Sequence, residues 1–271
     1  MDTRPIGVFD SGLGGLTAVR QLRRVLPGED IIYFGDTGRV PYGSRGREII
    51  RQYARQDIRF LLSHDVKFII AACGTVSSTY PPEEAARLPV PFTGVVGATA
   101  RAAVDATRNS KVGIIGTAAT VRSGSYAAVI KDMKPETEII ARACPMFVPL
   151  VENGRYERGD VVIETVAREY LEPIRGSGID TLILGCTHYP LLMDLIGEIM
   201  GPEVTLIDTG EEAAWELKRT LKAKDLLADR AQEGTTTLYA SDQPEDFGSM
   251  AKHFLQEELT SPVLQVNIDR Y

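Results

Sequence analysis

Two cysteines occupy similar positions in the sequence and are the residues with the clearest chemical potential. Cys73 follows the apolar run Lys67–Ala72, and Cys186 follows the run Thr181–Gly185. Each run is typical of a buried strand, and we expect a helix to begin just after each cysteine. The free N–H groups and the dipole of a helix start stabilise a thiolate, so the pattern predicts a lowered pKa for both thiols. A single cysteine in this context is more often a packing residue, but two, each followed within two residues by a threonine, favour a chemical role.

Several kinds of site could use such thiols. A disulfide is rare in a reducing compartment, and a metal site would need more ligands than Cys186, His188 and a distant thiol. A cysteine hydrolase needs one thiol and leaves the other unexplained. Lys67 and Lys111 lie at strand starts, where neither is well placed to hold pyridoxal phosphate. Proton transfer by two bases uses both thiols, because inversion of a carbon centre requires matched acid–base groups on its two faces. We therefore predict an isomerase that needs no cofactor and no metal.

Asp10 and His188 are the candidates to assist the two thiols. Asp10 opens the turn Asp10–Gly15, but the glycine spacing there does not match a dinucleotide fingerprint, and a carboxylate would repel a phosphate. Taken alone, this segment favours a helix cap as the role of Asp10. His188 lies two residues after Cys186, which favours acid–base assistance over a structural role.

The elements that must position these residues alternate along the chain. Short β-branched apolar runs are separated by amphipathic segments, which predicts a doubly wound α/β architecture with mostly parallel sheets. The predicted helices include Leu16–Val25, Arg47–Ser63 and Val161–Ile174. The predicted strands are Pro5–Phe9, Asp30–Phe34, Val66–Ala71, Phe92–Val96, Lys111–Ile115, Glu138–Ala143, Thr181–Leu184 and Val204–Ile207.

The sequence also contains hints of an internal duplication. The segment Ile6–Gly12 resembles Val112–Thr117, and Phe68–Thr75 resembles Leu182–Thr187. Two related lobes that face each other would bring both cysteines to one cleft. Chance similarity between strands of a doubly wound sheet explains the pattern equally well.

We predict two lobes with the active site in the cleft between them. The first lobe comprises residues 1–97 and 208–271 and carries Asp10 and Cys73. The second comprises residues 98–207 and carries Cys186 and His188.

Composition narrows the class of protein. The chain has 271 residues, of which 44% are hydrophobic and 25% are charged, as in an ordinary globular protein of one or two domains. A net charge of −7 argues against a nucleic-acid partner, and no apolar run approaches the roughly 18 residues of a membrane span. The N-terminus has no features of a signal peptide, and the odd count of three cysteines indicates reduced thiols. These features predict a cytoplasmic enzyme.

Six segments in order along the chain carry a resemblance to a known family. The chain resembles the glutamate racemases of the aspartate/glutamate racemase superfamily. The matching segments are Gly7–Gly15, Tyr33–Gly43, Ala72–Thr75, Thr117–Val121, Cys144–Glu152 and Leu184–Pro190.

This resemblance implies interconversion of L- and D-glutamate without a cofactor, a supply of D-glutamate for peptidoglycan, and a homodimer. Cys73 and Cys186 would be the paired proton donor and acceptor, assisted by Asp10 and His188, and the thiol of Cys144 would not be catalytic. The implied substrate contacts are Asp10, Ser11, Tyr42, Gly43, Gly74, Thr75, Thr117, Thr120, Glu152, Thr187 and His188.

One departure from the family pattern leaves alternatives open. Gly74 stands where family members usually carry Asn, so an amide that contacts the substrate is absent. The alternatives are a racemase of aspartate or another acidic amino acid, or an inactive two-lobed protein that binds a carboxylate ligand.

Overall fold

The computed structural model of the protein describes residues 1–228, 230 and 232–271. Its strands are β1 (Ile6–Asp10), β2 (Ile31–Gly35), β3 (Phe68–Ala71), β4 (Phe92–Gly94), β5 (Lys111–Gly116), β6 (Glu138–Ala143), β7 (Thr181–Leu184), β8 (Thr205–Asp208), β9 (Thr236–Ala240) and β10 (Leu264–Gln265). Its α-helices are α1 (Leu16–Val25), α2 (Arg47–Leu62), α3 (Gly74–Ser77), α4 (Pro82–Ala85), α5 (Val96–Ala106), α6 (Ala118–Ser123), α7 (Ser125–Met133), α8 (Phe147–Glu152), α9 (Val161–Arg175), α10 (Met193–Met200), α11 (Thr209–Ala223) and α12 (Pro244–Leu255). Short 3₁₀ helices cover Thr37–Arg39, Tyr42–Ser44, Tyr189–Leu192 and Ile268–Arg270.

The strands form two sheets that share the order of four of their strands. The first sheet runs β10-β9-β2-β1-β3-β4 and the second runs β6-β5-β7-β8. The strand pairs within both sheets are parallel. Four strands of each sheet therefore follow one pattern, in which the first strand lies between the second and the third. The predicted fold class is confirmed, and the resembling segments fall on equivalent strands, β1 with β5 and β3 with β7.

Local sequence explains several of these elements. Helix α1 buries Leu16, Val19, Leu22 and Val25 along one face, as its amphipathic pattern predicts. Helix α11 begins where the Asp208 carboxylate accepts hydrogen bonds from two backbone N–H groups of its first turn.

Helix α11 connects the two halves of the fold. It packs against α1, which belongs with the first sheet, and against α5, which packs on β7 and β8 of the second sheet. The predicted lobe boundaries at 97/98 and 207/208 fall inside α5 and β8 respectively, and they stay predictions.

The predicted strands agree with the structure to within about two residues at each end, and β6 and β7 match fully. The segment Phe92–Val96 ends as a strand at Gly94 because Val96 already belongs to α5. Strands β9 and β10 were not predicted, since β9 is half polar and partly buried, while β10 is two exposed residues long. In the described part of the chain, no helix is both long and apolar enough to cross a bilayer.

Candidate active site

A cavity of about 350 Å³ lies where the two sheets face each other. Its walls include Asp10 at the end of β1, Cys73 after β3, Thr117 after β5 and Cys186 after β7. Parallel neighbouring strands end at the same edge of a sheet, so each sheet delivers two of these side chains. The shared strand order thus brings four strand ends from two sheets to one cavity.

Most of the predicted site residues surround this cavity. Those that line it are Asp10, Ser11, Tyr42, Gly43, Cys73, Gly74, Thr75, Thr117, Glu152, Cys186, Thr187 and His188. Thr120 is not among the lining residues. Its hydroxyl lies 3.0 Å from the Thr117 hydroxyl, and its N–H donates to the same oxygen, so it supports Thr117 from behind.

The environment of Cys73 is buried and acidic. Its thiol donates a hydrogen bond of 3.7 Å to the hydroxyl of Ser11. Burial, together with the negative charge of Asp10, raises the pKa of the Cys73 thiol well above its ordinary value. The prediction of a lowered pKa at this position is therefore wrong. Helix α3 is a single turn, and its N–H groups do not outweigh burial and an anionic neighbour.

Asp10 braces the turn that follows β1. One carboxylate oxygen, Oδ2, accepts hydrogen bonds from the backbone N–H groups of Gly12 at 3.2 Å and Gly15 at 3.0 Å. Helix α1 begins after Gly15, so Asp10 organises the approach to the helix and does not occupy the cap position itself. The other oxygen, Oδ1, is buried and has no hydrogen-bond donor among the described residues. This leaves an acceptor for a cationic group.

Cys186 is paired with a histidine and a glutamate. The Cys186 sulfur lies 3.8 Å from Nδ1 of His188, and Nε2 of that ring lies 2.8 Å from Oε1 of Glu152. Burial alone would lower the pKa of His188, but the hydrogen bonds with Cys186 and Glu152 raise it to about 10. The imidazole is therefore a cation at neutral pH and can donate from both nitrogens. Glu152, for which the resemblance implies a substrate contact, also holds this histidine.

Threonine hydroxyls join the two sides of the cleft. The Thr75 hydroxyl lies 3.0 Å from that of Thr117, which in turn contacts Thr120. Across the opening, the Thr17 hydroxyl donates 2.8 Å to the backbone carbonyl of Thr187. Of these hydroxyls, those of Thr75 and Thr117 line the cavity and can donate to a carboxylate ligand, since each can rotate to suit an acceptor.

The hydroxyl of Tyr42 points away from the cavity. It donates to Asp36 and lies 3.1 Å from a carboxylate oxygen of Asp57, both beneath the loop Val40–Ser44. A substrate contact by Tyr42 would have to use its backbone or ring, because its hydroxyl is already engaged.

The departure at Gly74 has a steric basis. A Cβ atom at Gly74 would lie 2.4 Å from the backbone carbonyl oxygen of Gly185, on the opposite side of the cleft. Similarly, a Cβ at Gly43 would lie 2.8 Å from Cβ of Thr117. The two sides therefore approach so closely that an asparagine at position 74 would not fit without displacing backbone.

Part of the cavity wall was not predicted from the sequence. It is mostly apolar and comprises Val40, Pro41, Ser44, Ala118, Cys144, Pro145, Val148, Pro149 and Gly185. Burial raises the pKa of the Cys144 thiol to about 12, which keeps it protonated. A signal was present, because several of these residues lie inside the segments that carry the family resemblance.

Comparison with known sequences identifies the family of this chain. Residues 16–217 match the family model described as Asp/Glu/Hydantoin racemase. A glutamate racemase from Geobacter metallireducens is 42% identical over 269 residues, covering 99% of this chain and 98% of the relative. A glutamate racemase from Chlorobaculum tepidum is 44% identical over 256 residues, covering 94% of this chain and 93% of the relative.

Solved structures give the same result. A glutamate racemase from Bacillus anthracis superposes with a TM-score of 0.94 at 33% identity, covering 98% of both chains. The glutamate racemase of Francisella tularensis, solved in complex with D-glutamate, superposes with a TM-score of 0.91 at 38% identity over 100% of both chains. The predicted resemblance and the predicted isomerase class are confirmed. The chain belongs to the Asp/Glu/hydantoin racemase family, and within it to the glutamate racemases.

Proposed function

We propose that this protein interconverts L- and D-glutamate without a cofactor, with Cys73 and Cys186 exchanging protons with opposite faces of the α-carbon. The observation that carries the proposal is that two thiols, each following the third strand of a separate sheet, line one cavity. Full-length similarity to glutamate racemases supports the choice of substrate.

The surroundings of the two thiols support a division of labour before reaction. Cys73 is held as a thiol by burial and by Asp10, whereas the cationic His188 beside Cys186 is the kind of neighbour that stabilises a thiolate. In one direction the Cys186 thiolate takes the α-proton and becomes a thiol. The resulting carbanion takes the proton of the Cys73 thiol, which becomes a thiolate. The opposite enantiomer reacts by the reverse sequence.

Asp10 provides a link between substrate binding and the reactivity of Cys73. Its unpartnered Oδ1 can accept a hydrogen bond from the α-ammonium group of glutamate. That cation would offset the negative charge that contributes to the raised pKa of Cys73. Binding would thus lower the pKa of Cys73 and make its thiol a better proton donor to the carbanion.

The two substrate carboxylates would be held by hydroxyl and backbone N–H donors around the cavity. We assign this role to Ser11, Thr75, Thr117 and Thr187, with backbone N–H groups of Tyr42, Gly43 and Gly74 and support from Thr120. Glu152 and His188 complete the set on the side of Cys186.

We further propose that the two lobes are residues 1–97 with 208–271 and residues 98–207, and that the enzyme is a cytoplasmic homodimer that supplies D-glutamate for peptidoglycan. All three cysteines are free, which suits a reducing compartment. The family resemblance supports the dimer, and light scattering of the purified protein would test it.

The decisive experiment follows both enantiomers in heavy water. Purified protein incubated with L-glutamate or with D-glutamate should abolish optical activity in each case, while deuterium enters the α-carbon. Parallel reactions with aspartate and alanine test the substrate. A clear preference for aspartate would contradict the assignment to glutamate, and glutamate binding without α-proton exchange would indicate an inactive carboxylate-binding protein.

A further inference from the structure

A buried cluster of charged side chains lies beneath the loop Val40–Ser44, outside the cavity that this loop lines. The cluster consists of Asp36, Arg39, Tyr42 and Asp57. Both carboxyl side chains are 0% exposed and the arginine side chain is 14% exposed. Burial at this level makes an unbalanced charge costly, so the protonation state of the cluster matters.

The hydrogen-bond donors in the cluster are divided unequally between the two carboxyl groups. The Asp36 carboxylate accepts hydrogen bonds from Nε of Arg39 at 2.6 Å, from the Ser241 hydroxyl at 2.8 Å and from the Tyr42 hydroxyl. One oxygen of Asp57 accepts a hydrogen bond from Nη2 of Arg39 at 3.1 Å, and its second oxygen lies 3.1 Å from the Tyr42 oxygen. Asp36 therefore has the partners of an ionised carboxylate, and Asp57 does not.

Counting protons resolves the contact between Asp57 and Tyr42. The tyrosine hydroxyl has one proton but faces a carboxylate oxygen of both Asp36 and Asp57, so it can donate to only one of them at a time. The other contact needs a proton from a carboxyl group, and Asp57 supplies it because Asp36 already accepts hydrogen bonds from Arg39 and Ser241. The charges agree, because one arginine balances one carboxylate and leaves the second neutral. In addition, burial and the negative charges of Asp36 and Asp10 raise the pKa of Asp57 well above its usual range.

We propose that Asp57 is a positioning residue that stays protonated in the folded enzyme and donates a hydrogen bond to Tyr42, which holds the loop Val40–Ser44 against the substrate cavity. The loop also touches the other side of the cleft, where Gly43 packs on Thr117 with no room for a Cβ. Movement of Tyr42 would therefore alter the cavity and the contact between the two sides together. The kinetic part of this inference rests on the proposed function, but the protonation of Asp57 does not.

Two substitutions separate the role of the proton from that of the side-chain volume. Asp57→Asn keeps the shape, accepts from Arg39 and donates an N–H to Tyr42, so KM for glutamate should stay within about threefold of wild type. Asp57→Ala removes the donor and should raise KM about tenfold or more, with a smaller effect on kcat. Backbone amides of residues 40–45 should exchange hydrogen faster in Asp57→Ala and not in Asp57→Asn. A loss of more than tenfold in kcat/KM for Asp57→Asn would overturn the proposal.

Protonation can be measured without any activity. An Asp57 that is protonated when folded and ionised when unfolded releases one proton on unfolding, so stability falls as pH rises above about 4, the unfolded pKa. The ratio of the unfolding constants of wild type and Asp57→Asn should rise about tenfold per pH unit between pH 5 and 8. His64, which lies just after the end of α2, is common to both proteins, so its contribution cancels. The infrared band of a protonated carboxyl group should disappear in Asp57→Asn.

Asp180→Asn is the matched control, because Asp180 accepts hydrogen bonds from the Thr107 hydroxyl and from two backbone N–H groups. Although burial raises the pKa of Asp180, these bonds lower it below its usual value. The contribution of Asp180 to stability is present above its unfolded pKa and is lost as pH falls. The ratio of the unfolding constants of wild type and Asp180→Asn should therefore not rise between pH 5 and 8. Parallel stability curves for wild type and Asp57→Asn, with no infrared difference, would show that Asp57 is ionised and would refute the proposal. An inactive wild type with the expected titration would refute only the proposed function.

Discussion

The two strand ends that carry the cysteines are alike in topology and opposite in electrostatics. Cys73 and Cys186 each follow the third strand of a parallel sheet with the same internal order. The first thiol faces the hydroxyl of Ser11 and the carboxylate of Asp10, while the second faces the cationic ring of His188. The shared strand order therefore supplies geometric symmetry, and a few side chains at the strand ends break it.

That asymmetry suits a reaction that starts from an acid on one face and a base on the other. If both thiols shared one environment, they would have the same proton affinity, and neither would be favoured as the acid or as the base before substrate binds. The difference between the environments of the two thiols is thus part of the proposed mechanism, and it can be tested experimentally.

The largest effect should come from removing either thiol. Cys73→Ser and Cys186→Ser should each lower racemisation by about 10³-fold, because a hydroxyl is a far weaker acid than a thiol and cannot replace it as a base. Circular dichroism with each enantiomer measures the loss. Cys144→Ser is the matched control, since this third buried thiol has no acid–base partner among the described residues, and its loss of activity should be much smaller. Full activity in either of the first two variants would refute the scheme with two bases.

The next effect tests the cation beside Cys186. His188→Gln keeps a hydrogen-bonding side chain but removes the positive charge, and kcat should fall by about 10²-fold. Deuterium entry into the α-carbon, followed separately from each enantiomer, provides the measurement. Equal activity of this variant and wild type would mean that the charge of His188 contributes nothing to catalysis.

A smaller effect should distinguish the thiols in the free enzyme. Near neutral pH, iodoacetamide should modify Cys186 about tenfold faster than Cys73, because only the thiolate reacts and Cys73 has a raised pKa. Peptide mass spectrometry reads both sites in one sample. Asp10→Asn removes the anion near Cys73 and should reduce the difference between the two modification rates. Faster modification of Cys73 in wild type would reverse the assigned roles.

The smallest expected effect is a shift in pH dependence. Hydrogen bonds to Cys186 and Glu152 raise the pKa of His188 to about 10, above its unfolded value, so the cation is retained at neutral pH and is lost as pH rises through about 10. Glu152→Gln removes one of the interactions that raise this pKa. The alkaline limb of kcat should then move to lower pH by about one unit, with little change near pH 7. An unmoved limb would show that Glu152 does not control the charge of this histidine.

Most of the fold and of the candidate site could be predicted from local patterns. Buried parallel strands are continuous apolar runs, so eight strands were found, and the side chains at their ends were the right ones to place together. Strand β10 was missed because a two-residue strand at the edge of a sheet requires no apolar run, and β9 beside it was missed because it is half polar and only partly buried. The apolar wall that includes Cys144 and Val148 was also missed, since lining a cavity leaves no periodic signal in the sequence.

The sequence by itself determined which residue types could react and which strand ends would carry them, because strand periodicity and motif order are local properties of the chain. The tertiary structure decided the protonation states of these residues. It buried Cys73 beside Asp10, placed Glu152 against His188, and turned the hydroxyl of Tyr42 towards Asp36 and Asp57. The free energy of a charge depends on burial and on neighbours that are distant along the chain, so these properties emerge only when the two sheets come together.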